Sequence, residues 1–287
     1  MRLDLYPLTN YKTGMKLQDK VVVITGASMG IGEAIAKLFL QEGARLVLCS
    51  RDLERTKAAA RRISSGQDIL SVACDVSKRD QVDALVQAAM KKFGRIDVWI
   101  NNAGFGLNDS VEKMDMVQFR QMFDTNFFGT VDCMQAVIPI MRQQGGGDII
   151  NVSSVSGHIS TPYMSGYAAT KHAMNAIGKA ARMELARYNI NVLTVCPGFI
   201  ATDFSKNMLK GSNPQRVGGA VKYAVSVDVV AQATLRGLLK RKREVVVPGI
   251  YSMFIKMYQA LPGVVENKIR KALKPTSQVL AEAKSQE

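Results

Sequence analysis

The chain has 287 residues, with 38 Lys and Arg against 24 Asp and Glu, a formal net charge of +14. With 47% apolar and 22% charged residues it can bury a full hydrophobic core, which excludes a largely disordered chain. No apolar stretch of about 18 residues lacks a charge, and the opening MRLDLYPLTNYKTGMK has no apolar core of signal-peptide length, so a cytoplasmic protein is expected.

Short β-branched runs alternate with longer helical patterns. The pattern predicts strands over residues 21–25, 45–50, 69–74, 96–101, 148–153, 190–196 and 244–247. Helices are predicted between them over 31–41, 53–63, 81–93, 116–141, 165–187 and 227–240. The strands are apolar on both sides, as a sheet covered by helices on both faces requires. Right-handed crossovers then favour a doubly wound α/β fold with a mostly parallel, seven-stranded sheet. No repeat or low-complexity linker divides the chain, so one domain is expected.

The four cysteines, Cys49, Cys74, Cys133 and Cys196, form no CxxC pair. They read as small buried hydrophobes in a reducing compartment. With only His158 and His172, the chain has no HExxH or Cys/His cluster, so no metal site is expected.

The first predicted strand runs into Thr25-Gly26-Ala27-Ser28-Met29-Gly30-Ile31-Gly32, which opens the first helix. Such a turn aims free N–H groups and a positive helix end at an anion, and its glycines let the backbone approach a pyrophosphate. Tyr167 and Lys171 stand at i and i+4 on one predicted helix, which brings an ammonium near a phenol. A free tyrosine has a pKa of about 10, and a nearby cation favours its phenolate. Bringing it to neutrality takes roughly 4 kcal/mol of differential stabilisation.

With its GxxxGxG spacing, the chain resembles the short-chain dehydrogenase/reductase family, in its single-domain branch. Asn101-Asn102-Ala103-Gly104, Ser154 with Tyr167 and Lys171, and Pro197-Gly198 with Thr202 follow in the family's order, over residues 19–247. The resemblance implies a Rossmann fold and an oxidoreductase acting on a ketone or secondary alcohol. It implies the catalytic set Asn126, Ser154, Tyr167 and Lys171. In that set Tyr167 is the general acid/base, Ser154 bonds the substrate oxygen, and Asn126 holds a water linking Lys171 to solvent. Lys171 also holds the nicotinamide ribose. The cofactor would touch Gly26, Ser28, Met29, Gly30, Ile31 and Gly32 at the turn. It would also touch Ser50, Arg51, Asp75, Val76, Asn102, Ala103, Gly104, Pro197, Gly198, Ile200 and Thr202. Asp75 equally suits a helix N-cap.

Cofactor choice rests on the end of the second strand. A carboxylate there would bond the adenine ribose of NAD, but this chain has Cys49-Ser50-Arg51. Arg51 suits a 2′-phosphate, so NADP(H) is expected over NAD. A cofactor-binding sensor or scaffold with little turnover is the alternative reading, against which the complete catalytic set argues. Ser153 reads as a structural hydroxyl, and His158 as a pocket-wall or surface residue. The Asn151 sequon reads as chance, because it falls in a buried strand.

Residues 203–225 combine Phe204, Met208, Leu209 and Tyr223 with glycines, which suits a lid over an apolar or lipid-like substrate. Residues 1–18 form an N-terminal arm, and residues 248–287 an amphipathic, basic extension. Residues 236–274 hold ten Lys and Arg against two Glu, more than half of the net charge. Peripheral contact with an anionic membrane and simple packing on the core both remain open for this segment. Nucleic acid is not expected, because aromatics are not interleaved with the basic cluster. By resemblance, the chain forms a homodimer or homotetramer through the helices at 116–141 and 165–187.

Overall fold

The structure is a computed structural model and describes residues 15–64, 66, 68–200, 204, 208–211 and 224–272. Its strands are β1 (Val21–Thr25), β2 (Arg45–Ser50), β3 (Ile69–Ala73), β4 (Val98–Asn101), β5 (Leu107–Asn108), β6 (Gly147–Val152), β7 (Ile190–Pro197), β8 (Leu209–Lys210) and β9 (Glu244–Val247). Seven of them form one sheet in the order β3-β2-β1-β4-β6-β7-β9. Every pairing in it is parallel, so the expected doubly wound sheet is parallel throughout. The strand order reverses beside β1, and in such sheets ligands bind in the crevice outside the strands' C-terminal ends at that point.

Neighbouring residues of each strand face opposite sides, and both sides are apolar. Val22, Ile24, Leu46, Leu48, Ile100, Ile150, Leu193 and Val195 are buried on one face. They pack there with Ile35 and Phe39 of α1 (Gly30–Gln41). Val21, Val23, Val47, Trp99, Ile149 and Val192 are buried on the other face. There they meet Leu85 of α3 (Arg79–Phe93) and Val137 and Met141 of α5 (Gly129–Gln143). Between α1 and α3 lies α2 (Leu53–Ile63), capped by Asp52, which accepts from the Arg55 N–H. Farther on, α6 (Ser165–Leu185) joins the second face through Ala181 and Leu185. The first face is completed by α7 (Val227–Leu239), through Val230, Leu235 and Leu238. Three polar side chains are linked in the buried sheet by two hydrogen bonds: Trp99 Nε1 donates to Asn101 Oδ1 at 2.8 Å, and Asn101 Nδ2 donates to Asn151 Oδ1 at 2.9 Å.

The helix expected over 116–141 runs without interruption from Met116 to Gln143 but changes pitch within it. It divides into α4 (Met116–Phe123), a π-helical turn (Asp124–Phe128) and α5. The wider turn directs Asn126 into the interior, while Phe128 stays exposed. Gly129 follows, where a Cβ would lie 2.7 Å from the Val76 carbonyl oxygen. One further feature was not expected, the two-residue pair β5–β8, and the C-terminal extension folds as the helices α8 (Ile250–Ala260) and α9 (Pro262–Ala272), parted at Leu261. Of the N-terminal arm, residues 15–18 are described. The Leu17 N–H donates to Glu42 O at 2.9 Å, and Leu17 is buried.

Asp97 ties the N-terminal edges of β1 and β4 together. It accepts from the Val21 N–H at 2.9 Å, from Arg95 at 2.6 and 2.9 Å, and from Lys20 at 3.3 Å. Burial alone would raise its carboxyl, but the Arg95, Val21 and Lys20 donors outweigh it and hold the pKa below 3.8. A lowered pKa means stability that is fully present above the unfolded value and lost as pH falls through the folded one. In urea denaturation at pH 7, Asp97→Asn is expected to destabilise by about 1.5–3 kcal/mol. The gap from wild type should shrink progressively below pH 3.8. A gap independent of pH would show that the carboxylate charge is immaterial.

Candidate active site

The C-terminal ends of β1, β2, β4, β6 and β7 deliver the predicted residues to one edge. At β1, Gly26 and Gly30 adopt φ of +63° and +62°, which side chains disfavour. A Cβ on Gly26 would lie 2.8 Å from Ala103 Cα, and one on Gly32 would lie 2.5 Å from Asn102 Nδ2. Asn102 clamps the turn: its Nδ2 donates to Thr25 O and Gly26 O, both at 2.9 Å. Thr25 Oγ1 accepts from the Asn102 and Ala103 N–H groups, both at 3.0 Å. Met29 begins α1 in extended geometry with no side-chain cap. The first amides of α1 therefore face the turn without a side-chain partner, which suits an anion. Ser28 and Ile31 lie within this cradle.

Arg51 is exposed just beyond β2. Nearby, Arg55 Nη2 lies 3.5 Å from Met29 Sδ, and Arg62 Nη2 donates to Ser28 O at 3.3 Å. Sequence reading missed these two cations of α2. Their spacing from Arg51 is helical, and they face back towards the glycine turn. The Ser50 hydroxyl is engaged with Asp52 O at 2.9 Å and the Thr56 hydroxyl at 2.7 Å. Asp75 is not a helix N-cap. Its Oδ1 accepts from the Ser77 N–H and hydroxyl, and Lys78 holds the capping position of α3. Val76 is buried beside Gly129.

Ser154, Tyr167 and Lys171 converge between β6, β7 and α6. Ser154 Oγ approaches Pro197 O at 3.4 Å and hydrogen-bonds the Tyr167 side chain. Ser153 instead turns to Lys171 O at 3.4 Å, as its structural reading requires. Lys171 is buried, and its Nζ donates to Val152 O at 2.9 Å and lies 5.7 Å from the Tyr167 ring centroid. Asn126 is fully buried, with Nδ2 donating to Phe105 O and Thr170 Oγ1 and Oδ1 accepting from the Phe105 N–H. Its amide is thus occupied in positioning the loop after Gly104. A Cβ on Gly104 would lie 3.0 Å from Asn126 Oδ1 and 3.7 Å from Lys171 Nζ.

The charge balance at Tyr167 differs from the sequence expectation. Burial pushes its pKa up to about 12, against an opposing hydrogen bond from Ser154. Burial also pushes Lys171 down to about 8. The i,i+4 spacing says nothing of desolvation, which favours the neutral form of both groups and here exceeds the cation's pull.

An apolar wall stands over Tyr167. Tyr167 and Leu107 are buried together with Met122, and Phe105, Phe119, Met164 and Leu209 pack against them. The Phe204 ring lies 5.5 Å from the Tyr167 ring. Gly198, after β7, has its N–H on Val247 O at 2.7 Å, and Tyr251 of α8 lies against it. Ile200 bridges Val225. Thr202, Tyr223 and most of the lid segment lie outside the described residues. His158 is no surface residue; its Nε2 meets Glu244 Oε2 at 3.0 Å.

The short chain dehydrogenase family profile matches residues 20–213. The chain belongs to the short-chain dehydrogenase/reductase family. An uncharacterized oxidoreductase of Staphylococcus saprophyticus is 40% identical over 220 residues, covering 76% of this chain and 89% of that protein. Dehydrogenase/reductase SDR family member 7B of Xenopus tropicalis is 37% identical over 252 residues, 85% of this chain and 82% of that one. A 3-ketoacyl-(acyl-carrier-protein) reductase of Brucella melitensis, solved in complex with NADH, superposes with a TM-score of 0.74 at 29% identity. That alignment covers 80% of this chain and 97% of the other. This short-chain dehydrogenase/reductase is accordingly an NAD(P)-dependent oxidoreductase.

Proposed function

We propose that the chain is an NADP(H)-dependent reductase of apolar ketones, reversible to the secondary alcohol, with residues 19–247 as its catalytic unit. The observation that carries the reading is the burial of Tyr167 and Lys171 beside a half-buried Ser154, with an apolar wall over Tyr167 and a turn with room only for glycine nearby. The cradle of Gly26, Gly30 and Gly32 and the uncapped start of α1 fit a pyrophosphate. Arg51 and Arg55 supply cations where a 2′-phosphate would lie. When bound, the nicotinamide supplies or accepts the hydride.

The chain's own residues handle the oxygen. Tyr167, neutral by virtue of its burial, donates its phenolic proton to the substrate oxygen as charge develops there. Ser154 adds a second hydrogen bond to that oxygen. Lys171 holds the nicotinamide ribose and places a positive charge near Tyr167 after proton donation. Asn126, whose side chain supports the Phe105 loop and Thr170, contributes by positioning. The apolar wall formed by Phe105, Met164, Leu209 and Phe204 selects an apolar or lipid-like substrate.

Tyr167→Phe is expected to lower kcat by about 100- to 10,000-fold in an NADPH oxidation assay with a ketone panel. NADPH binding by fluorescence should change little. Undiminished turnover would refute the acid/base assignment, whereas a wild type that oxidises no NADPH across the panel would favour the scaffold reading. Arg51→Ala is expected to raise KM for NADPH about ten- to hundred-fold while leaving KM for NADH nearly constant. Equal effects on both cofactors would remove the phosphate contact.

The reading extends to the C-terminal helices and to a peripheral membrane location. No described helix is long and apolar enough to cross a membrane. Met253, Phe254, Leu261 and Val264 nevertheless stand exposed on α8 and α9, while Ile255 and Val265 are buried. Lys256, Lys268, Arg270 and Lys271 flank them. Apolar side chains rimmed by cations match an anionic lipid surface. Full-length protein should co-sediment with phosphatidylserine vesicles and less with neutral ones, and Phe254→Ser with Leu261→Ser should reduce pelleting. Equal pelleting in all arms would confine the helices to packing. Assembly through the α5 and α6 surfaces, as homodimer or homotetramer, completes the proposal.

A further inference from the structure

Behind Ser154, on the side of β7 and β9, lies a second group of chemically competent side chains. His158 follows the short helical turn Val155–Gly157 that begins at Ser154. Its Nε2 is 3.0 Å from Glu244 Oε2 and 3.6 Å from Cys196 Sγ. All three ligand atoms lie within 4.8 Å of one another, the single such group of His, Cys and acidic donors among the described residues. The residues are 38 and 86 positions apart in the chain, so no local motif announces them. Only the parallel pairing of β7 with β9 and the turn after β6 bring them together.

We propose that His158, Cys196 and Glu244 bind a divalent transition-metal ion, with zinc as the preferred occupant. A thiolate, an imidazole and one carboxylate are the donor types that zinc takes in tetrahedral sites, at about 2.0–2.3 Å each. Tetrahedral bonds of that length separate donors by roughly 3.3–3.6 Å. The Cys196–His158 distance already meets this spacing. Glu244 lies on the edge strand with its side chain 25% exposed, so it can swing the remaining distance and open a path from solvent. A sulfur donor disfavours calcium and magnesium, which take oxygen ligands. On binding, the Cys196 thiol releases its proton to solvent and coordinates as thiolate.

The position gives such an ion a consequence. Ser154 Oγ approaches Pro197 O at 3.4 Å, and Cys196 immediately precedes Pro197 and Gly198. A bound ion would therefore staple the turn carrying Ser154 to β7 and β9. This assignment stands apart from the catalytic reading, since its test measures metal rather than turnover.

Zinc titrated into the full chain against a chromophoric chelator should show one ion per chain at this site, and Tm should rise with zinc. Cobalt(II) should give a thiolate charge-transfer absorption. His158→Gln, Glu244→Gln and Cys196→Ala should each weaken zinc binding at least about ten-fold, while Cys74→Ala should not. Should Cys196→Ala fail to fold, Glu244→Gln on the sheet edge decides. Unchanged affinity in Glu244→Gln or His158→Gln, or a cobalt complex without a thiolate band, would overturn the proposal.

Discussion

The active-site edge depends on burying a lysine without giving it a carboxylate. Lys171 reaches Val152 O instead, and no acidic side chain among the described residues forms an ion pair with it. Leaving the ammonium partly unpaired costs free energy, and burial accordingly lowers its pKa to about 8. The same burial raises Tyr167 to about 12. Tyr167 is thus held neutral, while Lys171 stays mostly protonated at pH 7 but close to its own titration, and small changes in local charge shift the balance between them. A carboxylate beside Lys171 would fix the ammonium and remove that sensitivity. The arrangement is tolerated because the surrounding sheet and helices determine the positions of both residues.

That determination comes from topology. Parallel strands place all their C-terminal ends on one edge, and the reversal of strand order beside β1 opens a crevice there. The glycine turn, the Asn102 clamp, Ser154 and Pro197-Gly198 each follow a different strand, yet they share that edge. Close approach then substitutes for side-chain chemistry at the turn. Ala103 and Asn102 press so near Gly26 and Gly32 that a methyl group at either glycine has no room. The backbone amides left facing outward by this packing are what an anion would meet.

The sheet was legible because each strand is a short β-branched run buried on both faces and each helix carries a periodic apolar stripe. The glycine turn and the Tyr167–Lys171 pair were legible for a similar reason, since both are local spacings. What escaped prediction is non-local. The π-helical turn at residues 124–128 brings Asn126 to Phe105 and Thr170, and the helical periodicity on either side conceals the extra residue in the turn. Arg55 and Arg62 carry no motif in the sequence, and only the placement of α2 beside the glycine turn brings them to Met29 and Ser28. His158 and Glu244 are 86 positions apart, beyond any motif. The shift at Tyr167 escaped for another reason: spacing conveys proximity of charge but not desolvation.

The basic C-terminus gains meaning from one contact. Gly198 lies at the nicotinamide side implied by the family's order of motifs, and the Tyr251 ring occupies the space a side chain there would take. The helix α8 is therefore anchored on the active-site edge by its first turn, while Met253 and Phe254 of the same helix face outward. A residue that moves Tyr251 must also disturb Gly198, so events on the outer face of α8 have a short mechanical route to the site. Lys240, Arg241, Lys242 and Arg243 stand before β9 at the opposite edge of the sheet, where Arg241 meets Asn189, whereas Lys256, Lys268, Arg270 and Lys271 lie on α8 and α9. Among the described residues the cations thus divide by place: Arg55 meets Met29 beside the turn, Arg241 meets Asn189 at the far edge of the sheet, and Lys256, Lys268, Arg270 and Lys271 lie on the two C-terminal helices.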